Sequence, residues 1–189
     1  EGIDNLAPFS QCQNLGFDPP FVMFSANQDA RGRRKDSVIN AEETGEFVYN
    51  MATYDLRDSV NKSAMDVPPD VDEFTLAGVT KAPSIRVKPP RVAESPIQFE
   101  CQYYQTVCLP GNNGKGAAHL VIGRVVLIHI KDEFILPDGK IDILRIRPLA
   151  RLGYYDYTTV DSTFEMMVPG ATAPYMGGLE GDPGRTRQT

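Results

Sequence analysis

Cysteine is scarce in this chain of 189 residues: Cys12, Cys101 and Cys108 are the only three. An odd count without metal-type spacing argues against a disulfide framework and against a zinc site. Cys101 and Cys108 are seven apart, so on an uninterrupted strand they point to opposite faces and do not pair locally. Reduced thiols in a cytoplasmic protein are the simplest reading. Histidine is scarcer still, with His119 and His129 alone, so there is no catalytic triad to build. No Gly-x-Gly-x-x-Gly fingerprint or phosphate-loop motif occurs. No apolar run approaches the ~20 residues of a membrane helix, so no membrane partner is expected. With a formal net charge of -6, nucleic-acid binding would need a segregated basic face, and the one dense basic cluster, Arg31 to Lys35, is too small for a duplex. No signal peptide is visible in the chain as it opens at Glu1.

What is present suits one domain with room for a core. The 15 prolines and 16 glycines are spread along the chain, which favours many short strands and turns over a helical bundle. Leu6 to Phe9 reads as an edge strand because of Pro8, and Phe21 to Ser25 as a buried strand. A loop and helix span Arg31 to Gly45, and Glu46 to Met51 forms the next strand. Tyr54 to Met65 reads as a surface helix with the stripe Leu56, Val60, Ala64, broken by the proline-rich Val67 to Asp70. The segment holding Phe74 to Val79, Ile85 to Val87 and Pro89-Pro90 is read as irregular. Ile97, Phe99, Cys101 and Tyr103 alternate with polar residues, a half-buried strand. His119 to Ile130 is almost wholly apolar and rich in Val and Ile, a central strand buried on both faces. The turn signal Asn112 to Gly116 joins these two strands into a long hairpin. After a turn at Asp138-Gly139, Ile141 to Ile146 is strand or short helix. Residues 170–189 lose all periodicity and read as an extended arm. The expected division is a barrel domain over residues 1–160 and an arm over 161–189. Barrel closure is the common way for short antiparallel strands to remove free edges.

The stretch from Lys35 to Asn50 carries the first chemical signal. Asp36 or Ser37 can cap a helix whose stop is Gly45, and Asn40 with Glu43 is a second capping pair. A helix start with free amides, a hydroxyl and the cations Arg31, Arg33, Arg34 and Lys35 is a ready phosphate site, although ordinary caps are far commoner. His119 and His129 are ten apart and share a face on an unbroken strand, where a histidine is more often structural than catalytic. Glu42 and Glu43 read as solvated helix residues. Pro90 to Pro96 is a rigid loop in which Arg91 and Glu94 are as readily a structural salt bridge as functional groups.

The ordered series Asn5-Leu6-Ala7-Pro8-Phe9-Ser10, Pro19-Pro20, Lys35-Asp36-Ser37 with Asn40, Thr44 to Asn50, Pro90 to Pro96, Glu100-Cys101, Ile122 to Val125 and Pro148 to Tyr157 resembles the flavin reductase-like, FMN-binding split-barrel family, its flavoredoxin-like branch in particular. The likeness covers about residues 3–160. It implies a mainly β, Greek-key split β-barrel with a few short helices that forms a homodimer and binds FMN near the subunit interface. It further implies oxidoreductase activity, with NADH or NADPH reducing flavin by hydride transfer to N5. The alternative it carries is an FMN electron carrier reduced by a redox protein partner. Carried over residue by residue, Lys35 and Ser37, with Arg34 beside them, hold the FMN phosphate. Asn5, Ala7, Pro8 and Ser10 line the isoalloxazine edge, Ser25, Ala26 and Asn27 follow the ring and ribityl chain, and Asn40 and Asn50 support the pocket. His119 stands where relatives with a Gly-Asp-His signature have a histidine linked to nicotinamide handling, but Ala117 and Ala118 replace the Gly and Asp. Ser37 replaces the usual Thr and keeps the hydroxyl. The family's first strand, which precedes Asn5, is absent from this sequence.

Overall fold

The Val- and Ile-rich run becomes the middle of the sheet. The computed structural model describes residues 2–29, 31–112 and 115–166. In it β7 (Ala118–Ile130) pairs with β6 (Ile97–Leu109) as the long antiparallel hairpin. Residues Asn113 and Gly114 of the expected turn, and most of the expected arm, lie outside the described residues. On the β7 side the sheet continues through β2 (Pro20–Asn27) to β1 (Cys12–Phe17), and on the β6 side through β3 (Glu46–Asn50). The order is β1-β2-β7-β6-β3, antiparallel throughout. Two small ladders complete the β structure: β4 (Lys81–Ala82) with β5 (Arg91–Val92), and β8 (Leu149–Gly153) with β9 (Asp156–Thr159). The mainly β, split-barrel expectation holds.

Among the described residues there are four short helices: α1 (Asp36–Thr44), α2 (Arg57–Lys62) after a 3-10 turn at Tyr54–Leu56, α3 (Glu73–Ala77) and α4 (Ile143–Ile146). α1 buries Val38 and Ala41 against Ala26 of β2 and Val121 of β7, with Phe9, Phe24, Phe47 and Tyr103 around them. A second cluster joins Val22, Cys101 and Val125 under Phe47 and Phe99. Gly45 ends α1 at φ 73, the left-handed conformation that glycine adopts without a Cβ clash.

Several expectations are corrected. Leu6 to Phe9 is not a strand but an extended strap. Pro8 lacks a ladder N–H, and the amide of Leu6 is taken by a side chain instead, the Glu73 carboxylate at 2.6 Å. β1 was not foreseen: its six residues are all exposed and show no apolar alternation. Neither Asp36 nor Ser37 caps α1; Lys35 stands at the cap position without a side-chain bond. Asn40 lies inside α1 rather than at a cap, and its carbonyl accepts from the Thr44 hydroxyl. Phe74 to Val79 includes α3, capped by Asp72, and Ile141 to Ile146 resolves as the helix α4.

Two parity expectations also fail, each because of one bulge. Tyr104 is the extra residue in β6 and Val126 the extra residue in β7, and an extra residue inverts the alternation beyond it. Cys101 and Cys108 therefore share a face, yet they stay free thiols; seven residues of strand separate them by roughly 20 Å. Burial pushes the Cys101 thiol up to about 12. His119 faces the α1 side with Val121, whereas His129 lies on the opposite face with Glu100.

Glu100 is fully buried. Its carboxylate accepts backbone N–H bonds from Ile85 (2.9 Å), Arg86 (2.5 Å) and Val87 (3.2 Å), and a 2.6 Å bond from His129 Nε2. Burial pushes this carboxyl up, but the four bonds outweigh it and hold the group below its ordinary 4.5. Arg91 and Glu94 form no pair: Arg91 donates to the Pro83 carbonyl and to Gln98, and Glu94 accepts the Thr80 N–H. Both brace the loop.

Two outcomes test this packing. A Cβ at Gly123 would lie 2.4 Å from the Phe47 ring and 3.2 Å from Cys101 Cβ. Gly123→Ala should lower stability by about 1–3 kcal/mol in denaturant melts; an unchanged midpoint would refute the close approach. Glu100, with its lowered folded value, contributes stability that is present above the ordinary 4.5 and is lost as pH falls through the folded value. Melts of Glu100→Gln should show a loss of about 3 kcal/mol at pH 7. The gap to wild type should narrow as pH falls below 4.5, and a gap independent of pH would contradict the ionised carboxylate.

Candidate functional site

The strap over residues 2–10 and helix α1 form two walls of one cleft of about 1830 Å³. Its remaining walls are β3, the 54–64 segment and the β8–β9 hairpin. The strap is fastened by side chains rather than by a ladder. Asn5 donates from its amide nitrogen to the Glu73 carboxylate, which also takes the Leu6 N–H. Lys81 joins Asp4 (2.9 Å) to Asp72 (2.7 Å) at the start of α3. Phe9 packs on Phe24 with ring centroids 4.7 Å apart. Burial pushes the Glu73 carboxyl up, and the bonds from Leu6 and Asn5 oppose that shift.

Ser37, in the first turn of α1, donates its hydroxyl to Asn5 Oδ1 at 2.7 Å. Fixed by Glu73 on one side and Ser37 on the other, the Asn5 amide has a single orientation. Asn5, Ala7, Pro8, Ser10, Ser37, Asn40 and Asn50 all line the cleft. Asn50 also accepts the Val92 N–H at 2.8 Å, which ties β3 to β5. Lys35, exposed at the uncapped start of α1 and outside the cleft lining, is close enough to Glu73 to draw that carboxyl down.

Other expected residues lie elsewhere. Arg34 is ion-paired with Glu42, and that bond is the main reason the Glu42 carboxyl is held low. Ser25, Ala26 and Asn27 are outside the cleft lining: Ala26 is core, and Ser25 donates its N–H to the Gln11 carbonyl at 2.8 Å. His119 is also outside the lining, buried at 8% exposure, with Nδ1 lacking a hydrogen-bond partner among the described residues.

The donor set fits a flavin mononucleotide. The start of the nine-residue α1 has no side-chain cap and leaves the Asp36 and Ser37 amides without a backbone acceptor beside the Lys35 cation, donors of the kind a phosphate accepts; the Val38 N–H is on the Lys35 carbonyl and the Ser37 hydroxyl on Asn5. The extended strap Asn5 to Ser10 offers backbone polar groups along one edge of the cleft. Among the described residues no group of three or more His, Cys, Asp or Glu is placed to hold a metal ion, and no helix is long and apolar enough to cross a membrane.

Sequence reasoning missed Glu73, Lys88 and a cluster of arginines. Glu73 reads locally as an ordinary helix-start acid, and its partner Asn5 is 68 residues away. Lys88 lines the cleft as a further exposed cation, with its own N–H on Glu46. Arg57, Arg147 and Arg151 also line it.

Comparison with known proteins agrees with this geometry. The nitrilotriacetate monooxygenase component B of Bacillus cereus is similar at 30% identity and a TM-score of 0.81, over 87% of this chain and 83% of that one. A flavin reductase with a split barrel domain from Shewanella frigidimarina shares the fold, with TM-score 0.75 and 23% identity over 88% and 82% of the two chains. So does the flavoredoxin of Desulfovibrio vulgaris, with TM-score 0.72 and 18% identity over 90% and 88%. A family model described as the flavin reductase like domain matches residues 1–150, more than three quarters of the chain, and the chain belongs to that family.

Proposed function

We propose that this chain is an FMN-binding flavoprotein oxidoreductase in which NADH or NADPH reduces the flavin. The observation that carries the proposal is the Ser37–Asn5–Glu73 chain of hydrogen bonds, which sets an uncapped helix start against the strap on one cleft. FMN, when bound, supplies N5 as hydride acceptor. Lys35, Ser37 and the first-turn amides of α1 hold the phosphate. Asn5, Ala7, Pro8 and Ser10 line the ring edge, and backbone amides of that strap are donors toward the N1 and O2 side, where they favour the reduced, anionic ring. Asn40 and Asn50 support the wall. A homodimer and a cytoplasmic location belong to the same reading. Exposed Phe17 of β1 and Tyr104 and Leu109 of β6 are apolar surface that a second copy would cover.

One observation favours the second reading, an electron carrier reduced by a protein partner. His119 lies outside the cleft lining, and Ala117 and Ala118 stand before it. The two readings separate on bleaching by nicotinamide: a yellow protein that neither NADH nor NADPH reduces is a carrier.

Lys35→Ala should weaken FMN binding about ten-fold or more, the loss of one charge-assisted bond worth roughly 1.5–3 kcal/mol. Riboflavin, which lacks the phosphate, should bind nearly as before. Equal losses for both flavins would remove the phosphate from this end of α1. His119→Asn distinguishes a nicotinamide-orienting ring from a packed one. On the orienting reading, rapid-mixing reduction slows about ten-fold, ~1.4 kcal/mol of barrier, while FMN affinity and melting stay put. A stability loss of ~1–3 kcal/mol, with reduction changed only as far as folding, gives the packed role.

A further inference from the structure

A second stretch of the same cleft wall is built for an anion. Arg57, Arg147 and Arg151 all line it, together with Tyr54, Tyr154 and Tyr157. Two of the guanidinium groups lie against one ring: the Arg57 carbon is 4.3 Å and the Arg147 carbon 4.0 Å from the Tyr54 ring centroid. A guanidinium held by its face keeps its N–H edge for a forked bond to a phosphate or carboxylate. Arg57 spends one N–H on the Tyr54 carbonyl and, among the described residues, has the exposed Asp58 as its one carboxylate partner, at 3.9 Å. Arg151 donates to the Tyr154 carbonyl at 3.1 Å. Among the described residues neither Arg147 nor Arg151 has a carboxylate partner. Asp58 and Asp161 are the carboxylates of this stretch of lining. Two arginines on one ring, with a third lining the same cleft, are notable in a chain of net charge -6.

The backbone fixes this arrangement. Arg147 at φ 53 and Tyr154 at φ 48 are the only non-glycine residues with positive φ among the described residues. The Arg147 carbonyl accepts the Tyr54 N–H at 2.9 Å, which locks arginine and ring together. The space also exceeds one ligand. Single small-molecule sites run to about 1,000 Å³, and this cleft measures about 1830 Å³.

We infer that the wall formed by Tyr54, Arg57 and Arg147 binds the diphosphate of an adenine dinucleotide, the reductant's non-reacting half, beside the flavin. The inference rests on the flavin reading of the cleft. Arg57 and Arg147 fork onto the diphosphate oxygens, and the exposed tyrosines of the β8–β9 turn offer a stacking face for the base.

Calorimetric titration of the full chain with ADP-ribose, with FMN titrated into the same preparations, tests this. Wild type should bind ADP-ribose. Arg57→Ala and Arg147→Asn, the latter chosen because Asn tolerates left-handed φ, should each weaken it about ten-fold. FMN affinity and melting temperature should stay within error in both variants. Adenosine, without phosphates, should not distinguish variants from wild type. A wild type that binds FMN but not ADP-ribose overturns the subsite alone, and so does ADP-ribose affinity unchanged in both variants. A wild type that binds ADP-ribose through both arginines and binds no FMN upholds the subsite and overturns the flavin reading.

Discussion

Every backbone N–H withdrawn from water needs an acceptor, and in this fold two buried carboxylates supply what the sheet cannot. Within the five-stranded sheet the ladders supply acceptors, and its edge strands β1 and β3 are paired on one side. The strap at Asn5–Leu6 and the loop at Ile85 to Val87 have no strand partner for those amides, and Glu73 and Glu100 take them. An unmet buried amide costs about 1–3 kcal/mol, and bonds to a charged acceptor are the stronger kind. Three amides and a histidine therefore outweigh the burial of one carboxylate at Glu100, and its carboxyl is held low. At Glu73, with one amide and one side chain, burial wins and the carboxyl is pushed up.

The parts of the fold legible in the sequence are those in which residue type and burial coincide. The β6–β7 hairpin shows as an alternating run and an apolar run, and α1 shows through its Gly45 stop and the Lys35-Asp36-Ser37 start. β1 was hidden because its pairing is imposed by β2: Cys12–Phe17 is exposed throughout and carries no period-two signature. The bulges at Tyr104 and Val126 were hidden for a different reason. A bulge is a choice of backbone register that no side chain announces, yet each one inverts every face assignment beyond it. That is why the geometry of two histidines and two cysteines came out reversed.

The candidate site divides along similar lines. The strap, Ser37, Asn40 and Asn50 line one cleft. Arg34 was named from the basic cluster, but a carboxylate two turns along α1 claims it. Ala26 was carried over from the resemblance with Ser25 and Asn27, but its side chain is core. Glu73 could not be read, because its meaning depends on Asn5, 68 residues away. The arginines on Tyr54 come from segments 90 residues apart, joined by an antiparallel bridge in which the Tyr54 N–H donates to the Arg147 carbonyl and the Leu149 N–H to the Ala52 carbonyl.

The apolar face of α1 governs the polar one. The helix has no side-chain cap, which elsewhere contributes about 0.5–2 kcal/mol. Its anchorage is instead the complete burial of Val38 and Ala41 between β2 and β7, and a buried Val alone is worth about 1.5–3 kcal/mol. Packing of that size can hold a helix start open. It leaves the Asp36 and Ser37 amides without a backbone acceptor, while the Val38 and Ile39 N–H groups donate to the Lys35 carbonyl and the Ser37 hydroxyl is turned onto the strap. A cap at Asp36 would have stabilised the helix locally and used up amides that a phosphate requires. The core contact therefore carries the local instability of α1, and the anion site proposed at this helix start has little structure to undo before binding.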